Sequence, residues 1–124
     1  MPYRFLRFPE GKAKAVTLSY DDGVRQDKRL VEILDKHGIK GTLFTVGTFA
    51  PKVQDKLKDY IKRGHKLALH SYDHMAPMLQ SVRDFENKTA GAKKLLEDMF
   101  ETEVVGYRAP CFSMDNSRLD ILQK

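Results

Sequence analysis

Cysteine is nearly absent: Cys111 is the only one in 124 residues, so no intramolecular disulfide can form. No stretch approaches the ~20 apolar residues of a membrane-spanning helix. The first residues, Met1-Pro2-Tyr3-Arg4-Phe5-Leu6-Arg7-Phe8-Pro9, lack the continuous apolar core of a signal peptide. As written the chain reads as cytoplasmic, and as extracellular or cell-wall associated if a signal was removed. Low-complexity tracts, linkers and repeats are also missing, apart from the alternation of strand and helix itself. Basic residues exceed acidic ones by 22 to 17, a net charge of +5, but they do not gather into one block. Lys28-Arg29, Lys56, Lys58, Lys62-Arg63 and Lys93-Lys94 are spread along helices. No aromatics interleave with them as a single-strand platform requires, so they read as solvated helix faces and no nucleic-acid partner is expected.

What is present suits one globular domain over residues 1–124, with 41% hydrophobic and 31% charged residues. Residues 1–13 read as an irregular lead-in. Ala15 to Ser19 is a short apolar run stopped by Asp21-Asp22-Gly23, a buried-strand signal. Leu30, Ile33 and Leu34 follow at helical spacing, with Gly38 as a stop. Lys40 to Val46 reads as a second strand, and Pro51 opens a helix with Val53, Leu57, Tyr60 and Ile61 on its apolar stripe. Lys66 to Leu69 is a third strand running straight into His70. Ser81 caps a long helix carrying Val82, Phe85, Thr89, Ala92, Leu95, Leu96 and Met99. Val104 to Tyr107 reads as a fourth strand, and a last helix begins near Ser117. Leu43, Phe44, Leu67 and Leu69 are expected in the core, and Tyr3, Phe5 and Phe8 in packing rather than sugar stacking. Such alternation implies a parallel sheet, with chemistry gathered at the carboxyl ends of its strands.

Three groups of reactive residues fall at those ends. Asp21-Asp22 ends one apolar stretch, His70-Ser71-Tyr72-Asp73-His74 ends another, and Arg108-Ala109-Pro110 follows a third. Three hard or borderline ligands from two strand ends suit a catalytic metal with one position left for water. Seen alone, Asp-Asp-Gly is more often a turn, and His-x-x-x-His is a common accident of helical surfaces. Arg108 taken singly reads as a surface ion-pair partner.

In order and spacing, however, these motifs resemble the polysaccharide deacetylase family, also called the NodB-homology or carbohydrate esterase family 4 group. Ser19-Tyr20-Asp21-Asp22-Gly23 is similar to its Thr/Ser-Phe-Asp-Asp-Gly motif. His70 to His74 matches His-Ser/Thr-x-x-His, and Arg108-Ala109-Pro110 matches Arg-x-Pro. The resemblance implies an α/β fold, a partial (β/α) barrel that is open or completed by a second copy at its free sheet edge. It implies that Asp22, His70 and His74 bind a divalent metal, and that Asp21 is the catalytic base. Arg108 is implied to orient and charge-pair with Asp21, and the backbone N–H of Cys111 to hold the oxyanion. The implied reaction is hydrolysis of N-acetyl (or O-acetyl) groups on an acetylated polysaccharide or oligosaccharide, with a metal-bound water activated by the Asp base. Zn²⁺ suits two imidazoles and a carboxylate, and Co²⁺, Mn²⁺, Ni²⁺ or Fe²⁺ are also accepted by such a set.

The pattern departs from the family at Val24, where Pro commonly follows, and at Cys111, where an aromatic commonly follows Arg-x-Pro. The chain also stops before the family's C-terminal motifs, one of them a Leu-x-His that supplies the general acid. His65 cannot replace that acid, because at ~3.3 Å per residue it lies roughly 16 Å from His70 along the strand. His37 ends a helix at the same far end. The alternative is therefore a catalytically silent metal- or glycan-binding fragment. Asp73 reads as a local hydrogen-bonding residue of the turn, and Cys111 as a partly buried small side chain rather than a nucleophile.

Overall fold

The computed structural model describes residues 7–23 and 26–124. Tyr3, Phe5 and Val24 lie outside them. Three short strands, β1 (Ser19–Asp21), β2 (Thr42–Thr45) and β3 (Lys66–Leu69), form a parallel sheet in the order β1-β2-β3. Tyr20 pairs with Leu43, and Leu43 with Leu67, so the three carboxyl ends fall on one side. Helix α1 (Asp27–Lys36) joins β1 to β2, and α2 (Gln54–Lys62) joins β2 to β3. After β3 come the long helix α3 (Val82–Phe100) and the short α4 (Asn116–Leu122). No helix among the described residues is long and apolar enough to cross a membrane.

The strand reading holds for β2 and β3 and shifts for β1. Val16 is exposed and β1 begins only at Ser19, so the strand starts four residues and ends two residues later than the apolar run. Helix α1 meets the expectation at Leu34 and departs from it at Ile33. Val31 and Leu34 are buried with Asp27, while Ile33 is exposed. In α2, Leu57 and Tyr60 are buried as expected, after a 3-10 turn over Ala50–Val53 that takes in Pro51. Ser81 does cap α3: its side-chain oxygen accepts from the Asp84 amide at 3.1 Å. Phe85, Ala92, Leu96 and Phe100 form the buried stripe of α3, whereas Val82 is exposed. Ala92, Leu96 and Phe100 meet Leu43, Leu67 and Leu69 in one core, to which each large apolar side chain contributes about 1.5–3 kcal/mol, while Phe85 packs edge-on against Tyr107. Phe8 is exposed, against the expectation of packing.

The fourth strand does not form. Residues 104–107 make only a single parallel bridge, Tyr107 to Leu69. The reason lies in α3, whose side chains take the backbone groups a strand would use. Glu97 Oε1 accepts from the Val104 amide at 2.9 Å, and Lys93 Nζ donates to the Val104 carbonyl at 3.0 Å. The segment still runs close to the sheet, because Gly106 has no side chain. A Cβ there would stand 2.9 Å from Ala68 Cβ, closer than carbon atoms pack. Gly106→Ala is therefore expected to destabilise the fold by about 1–3 kcal/mol, read as a lower urea midpoint at unchanged slope. An unchanged midpoint would mean that the segment moves away from β3 without cost.

Candidate metal centre

Each acidic and imidazole group sits where a strand gives way to a turn. Asp21 is the last residue of β1, in register with Phe44. The Asp22 amide still donates to the Phe44 carbonyl at 3.0 Å, but its φ is +77° and that of Gly23 is +71°. That left-handed turn sends the two adjacent carboxylates to different partners. Asp tolerates such a backbone better than most residues, and Gly without penalty.

Asp22 Oδ1 lies 3.4 Å from His70 Nε2 and 3.2 Å from His74 Nε2. The His70 amide donates to the Thr45 carbonyl at 2.8 Å, which fixes its backbone at the end of β2. His70 Nδ1 stands 2.8 Å from the Arg108 carbonyl. A carbonyl can only accept, so Nδ1 carries the proton and Nε2 presents a lone pair. His74 reaches the same point from a turn rather than a helical face. Ser71 and His74 both have φ of +62°, and Ser71 Oγ accepts from the His74 amide at 2.7 Å. The site is walled on one side and open on the other: the His70 side chain is 5% exposed, those of Asp22 and His74 43% and 44%.

Arg108 joins the two halves. Its Nη1 donates to Asp21 Oδ1 at 2.6 Å and its Nη2 to Ser19 Oγ at 2.5 Å. Its guanidinium lies 4.1 Å above the Phe44 ring, a cation–π contact, so Phe44 is a half-buried platform rather than a core residue. Leu69 holds the Arg108 backbone, since the Arg108 amide donates to the Leu69 carbonyl at 3.0 Å. One residue thus orients Asp21 with its side chain and His70 with its carbonyl. Ser19, Ser71 and the Arg108 carbonyl are the groups that sequence reasoning missed. All three lie within the quoted motifs, but their hydrogen bonds have no signature in spacing.

Cys111 is exposed, not partly buried, and its φ of +56° belongs to a tight turn over Pro110–Phe112. Asp73 behaves as expected in the turn: its carboxylate accepts from the Met75 amide and pairs with Lys88 at 2.7 Å. Hydrogen bonding from Lys88 holds the Asp73 carboxyl below its ordinary range. Burial, aided by the charge of Asp73, pushes the Tyr107 phenol up to about 12. Burial penalises the ionised phenol, so the fold is unaffected by it below the ordinary value of 10.0 and loses stability as pH rises from there through about 12. His65 is buried before β3, its Nδ1 accepting from the Gly41 amide at 3.1 Å and its Nε2 bonded to Asp35 at 2.9 Å. It is a clasp at the opposite end of the sheet.

The donor set fits a divalent metal. Bonds of ~2.0–2.1 Å at tetrahedral angles put neighbouring ligand atoms about 3.3 Å apart, and the two measured separations from Asp22 Oδ1 are 3.4 and 3.2 Å. One ligand atom from each of Asp22, His70 and His74 lies within 4.8 Å of the others. Asp22 Oδ1 is moreover buried without a hydrogen-bond donor among the described residues. A carboxylate oxygen that lacks a donor and stands beside two imidazole nitrogens is satisfied by a cation placed between them.

The cluster of Asp22, His70 and His74 lies at the carboxyl edge of a parallel sheet, where parallel α/β folds gather their binding and catalytic groups. The polysaccharide deacetylase family model matches residues 8–124, and the chain belongs to that family. A peptidoglycan deacetylase of Helicobacter pylori is 24% identical over 96 residues, 77% of this chain and 33% of its own length. The peptidoglycan-N-acetylglucosamine deacetylase PgdA of Listeria monocytogenes is 27% identical over 93 residues, 73% of this chain and 20% of its own. The CE4 domain of a multidomain xylanase from the hindgut metagenome of Trinervitermes trinervoides superposes with a TM-score of 0.79 at 23% identity. That match covers 84% of this chain and 52% of the other. The chain therefore spans a fifth to a third of the two curated relatives and about half of the structural one. The fold is that of part of a CE4-type (β/α) barrel, with its sheet open.

Proposed function

We propose that this chain carries the metal-holding and proton-accepting groups of a carbohydrate deacetylase, which hydrolyses N-acetyl (or O-acetyl) groups on a glycan. The observation that carries this reading is the division of labour between two neighbouring carboxylates. Asp22 faces His70 and His74, while Asp21 is held away from them by Arg108. A divalent metal held by Asp22, His70 and His74 would supply Lewis acidity toward an acyl carbonyl and toward water. Zn²⁺ suits the ligand set best, with Co²⁺, Mn²⁺, Ni²⁺ and Fe²⁺ also compatible. Asp21 accepts the proton of the attacking water, and the grip of Arg108 and Ser19 keeps its carboxylate aimed as it does so. The Cys111 amide follows Arg108-Ala109-Pro110 on the same turn and is assigned to the developing oxyanion. The relatives named as peptidoglycan deacetylases support an N-acetylated amino-sugar glycan as substrate.

A second reading, a metal- or glycan-binding unit without turnover, is not favoured by the relatives, which are named as deacetylases. An O-acetyl ester leaves more easily than an amine and needs less help from a general acid. Acetate release from chitin oligomers and acetylated xylan, with Zn²⁺ or Co²⁺ and a chelated control, separates the two. The expected result is metal-dependent release, proportionately faster from the ester. Stoichiometric metal binding with no release from either substrate would put the second reading first.

A further inference from the structure

Arg118 is a charged residue that is only 6% exposed, and neither the ligand set nor the proton path uses it. It projects from α4 into the loop that follows His74. Its Nε donates to the Pro77 carbonyl at 2.9 Å, and its Nη2 donates to the Gln80 carbonyl. Its Nη1 pairs with Asp115 Oδ2 at 2.8 Å and lies 3.6 Å from Met78 Sδ. Asp115, the cap of α4, also accepts from the Arg118 amide at 3.0 Å, so the guanidinium is braced by its own helix.

Among the described residues, Arg118 is the one charged side chain that grips the backbone carbonyls of this loop, which is otherwise held by its own turn and by bonds from Gln80, Ser113 and Asp73. Met75, Met78 and Leu79 are exposed, and Pro77 is the one fully buried side chain of residues 75–80. Residues 71–74 carry two left-handed conformations, at Ser71 and at His74 itself, a backbone that persists only where its surroundings impose it. A continuous set of bonds leads from the bracket to the imidazole. Arg118 holds the Gln80 carbonyl, Gln80 Nε2 donates to the Met75 carbonyl at 3.2 Å, and Met75 adjoins His74. Ser113 Oγ, on the segment after Pro110, accepts from the Met78 amide at 3.3 Å and ties the same loop to the Arg108 turn.

We propose that Arg118 is a positioning residue for the metal centre: by gripping the Pro77 and Gln80 carbonyls it fixes the loop that presents His74. The inference rests on the metal-centre reading above. It depends on the planar fork of the guanidinium, which reaches two carbonyls and a carboxylate at once and which an ammonium cannot reproduce. Partners beyond the ligands typically set metal affinity by orienting those ligands.

The test is Co²⁺ affinity and the Co²⁺ absorption spectrum of the full chain, with hydrogen exchange of the amides in residues 75–80 of the metal-free protein. Arg118→Met is expected to weaken Co²⁺ binding by about 10–100-fold and to alter the spectrum, with faster exchange in the loop and circular dichroism unchanged. Arg118→Lys is expected to do the same, because charge without the fork does not restore the grip. If Arg118→Met does not fold, Asp115→Asn slackens the bracket while keeping Arg118, and a smaller loss of Co²⁺ affinity is expected. A folded Arg118→Met, or Asp115→Asn in its place, with the affinity and spectrum of the parent chain overturns the proposal. Absence of stoichiometric Co²⁺ binding by the parent chain instead overturns the metal centre itself, and this inference with it.

Discussion

Asp21→Asn is expected to lower acetate release by about 10²–10⁴-fold while leaving metal affinity nearly unchanged. Asn keeps an oxygen for Arg108 Nη1, which in the parent chain stands 2.6 Å from Asp21 Oδ1, so the guanidinium stays over Phe44 and the loop ends stay in place. What is lost is the basicity that accepts a proton from water. Metal affinity should hold because Asp21 is bonded to Arg108, while the converging ligand atoms come from Asp22, His70 and His74. Isothermal titration with Zn²⁺ beside a turnover assay measures both quantities on one preparation. Equal losses in the two would mean that Asp21 is a ligand or a structural group, and would remove it as the base.

The converse holds one residue later. Asp22→Asn should cost metal affinity about 100-fold or more, beyond the 10–100-fold typical of partners outside the ligand set. Asn is chosen because it tolerates the left-handed backbone that Asp22 adopts at φ +77°. The fold is then spared, and the change falls on the charge of the one oxygen shared by both imidazoles. Turnover should fall with metal loading and recover in part at high metal concentration. An affinity equal to that of the parent chain would remove Asp22 from the ligand set. A turnover defect that persists at saturating metal would assign it a second role.

Much of this site was legible in the residues because its chemistry is local. Asp21-Asp22-Gly23 and His70 to His74 each lie within five residues of chain, and a strand end followed by a turn is enough to place them at the edge of a sheet. Ser81 and the apolar residues of α3 were readable for the same reason, as helix capping and periodicity are short-range properties. Residues 104–107 misled because a run of apolar residues reads as a strand whatever stands beside it. Lys93 and Glu97 take the Val104 backbone, and no periodicity in the run itself reports that competition. Ile33 misled in a similar way: which face of α1 turns inward depends on the sheet it covers, and the burial of Val31 settled it.

The sequence by itself determined which groups this protein has to work with and that Asp21-Asp22 and His70 to His74 fall at the carboxyl ends of parallel strands. Those follow from residue type, from spacing and from the alternation of strand and helix. Only the tertiary structure decided how the groups are coupled. Arg108 meets Asp21 across 87 positions and His70 across 38, and Arg118 reaches Pro77 across 41. These bonds link residues that folding alone brings together. They decide that one carboxylate faces the imidazoles and the other the guanidinium.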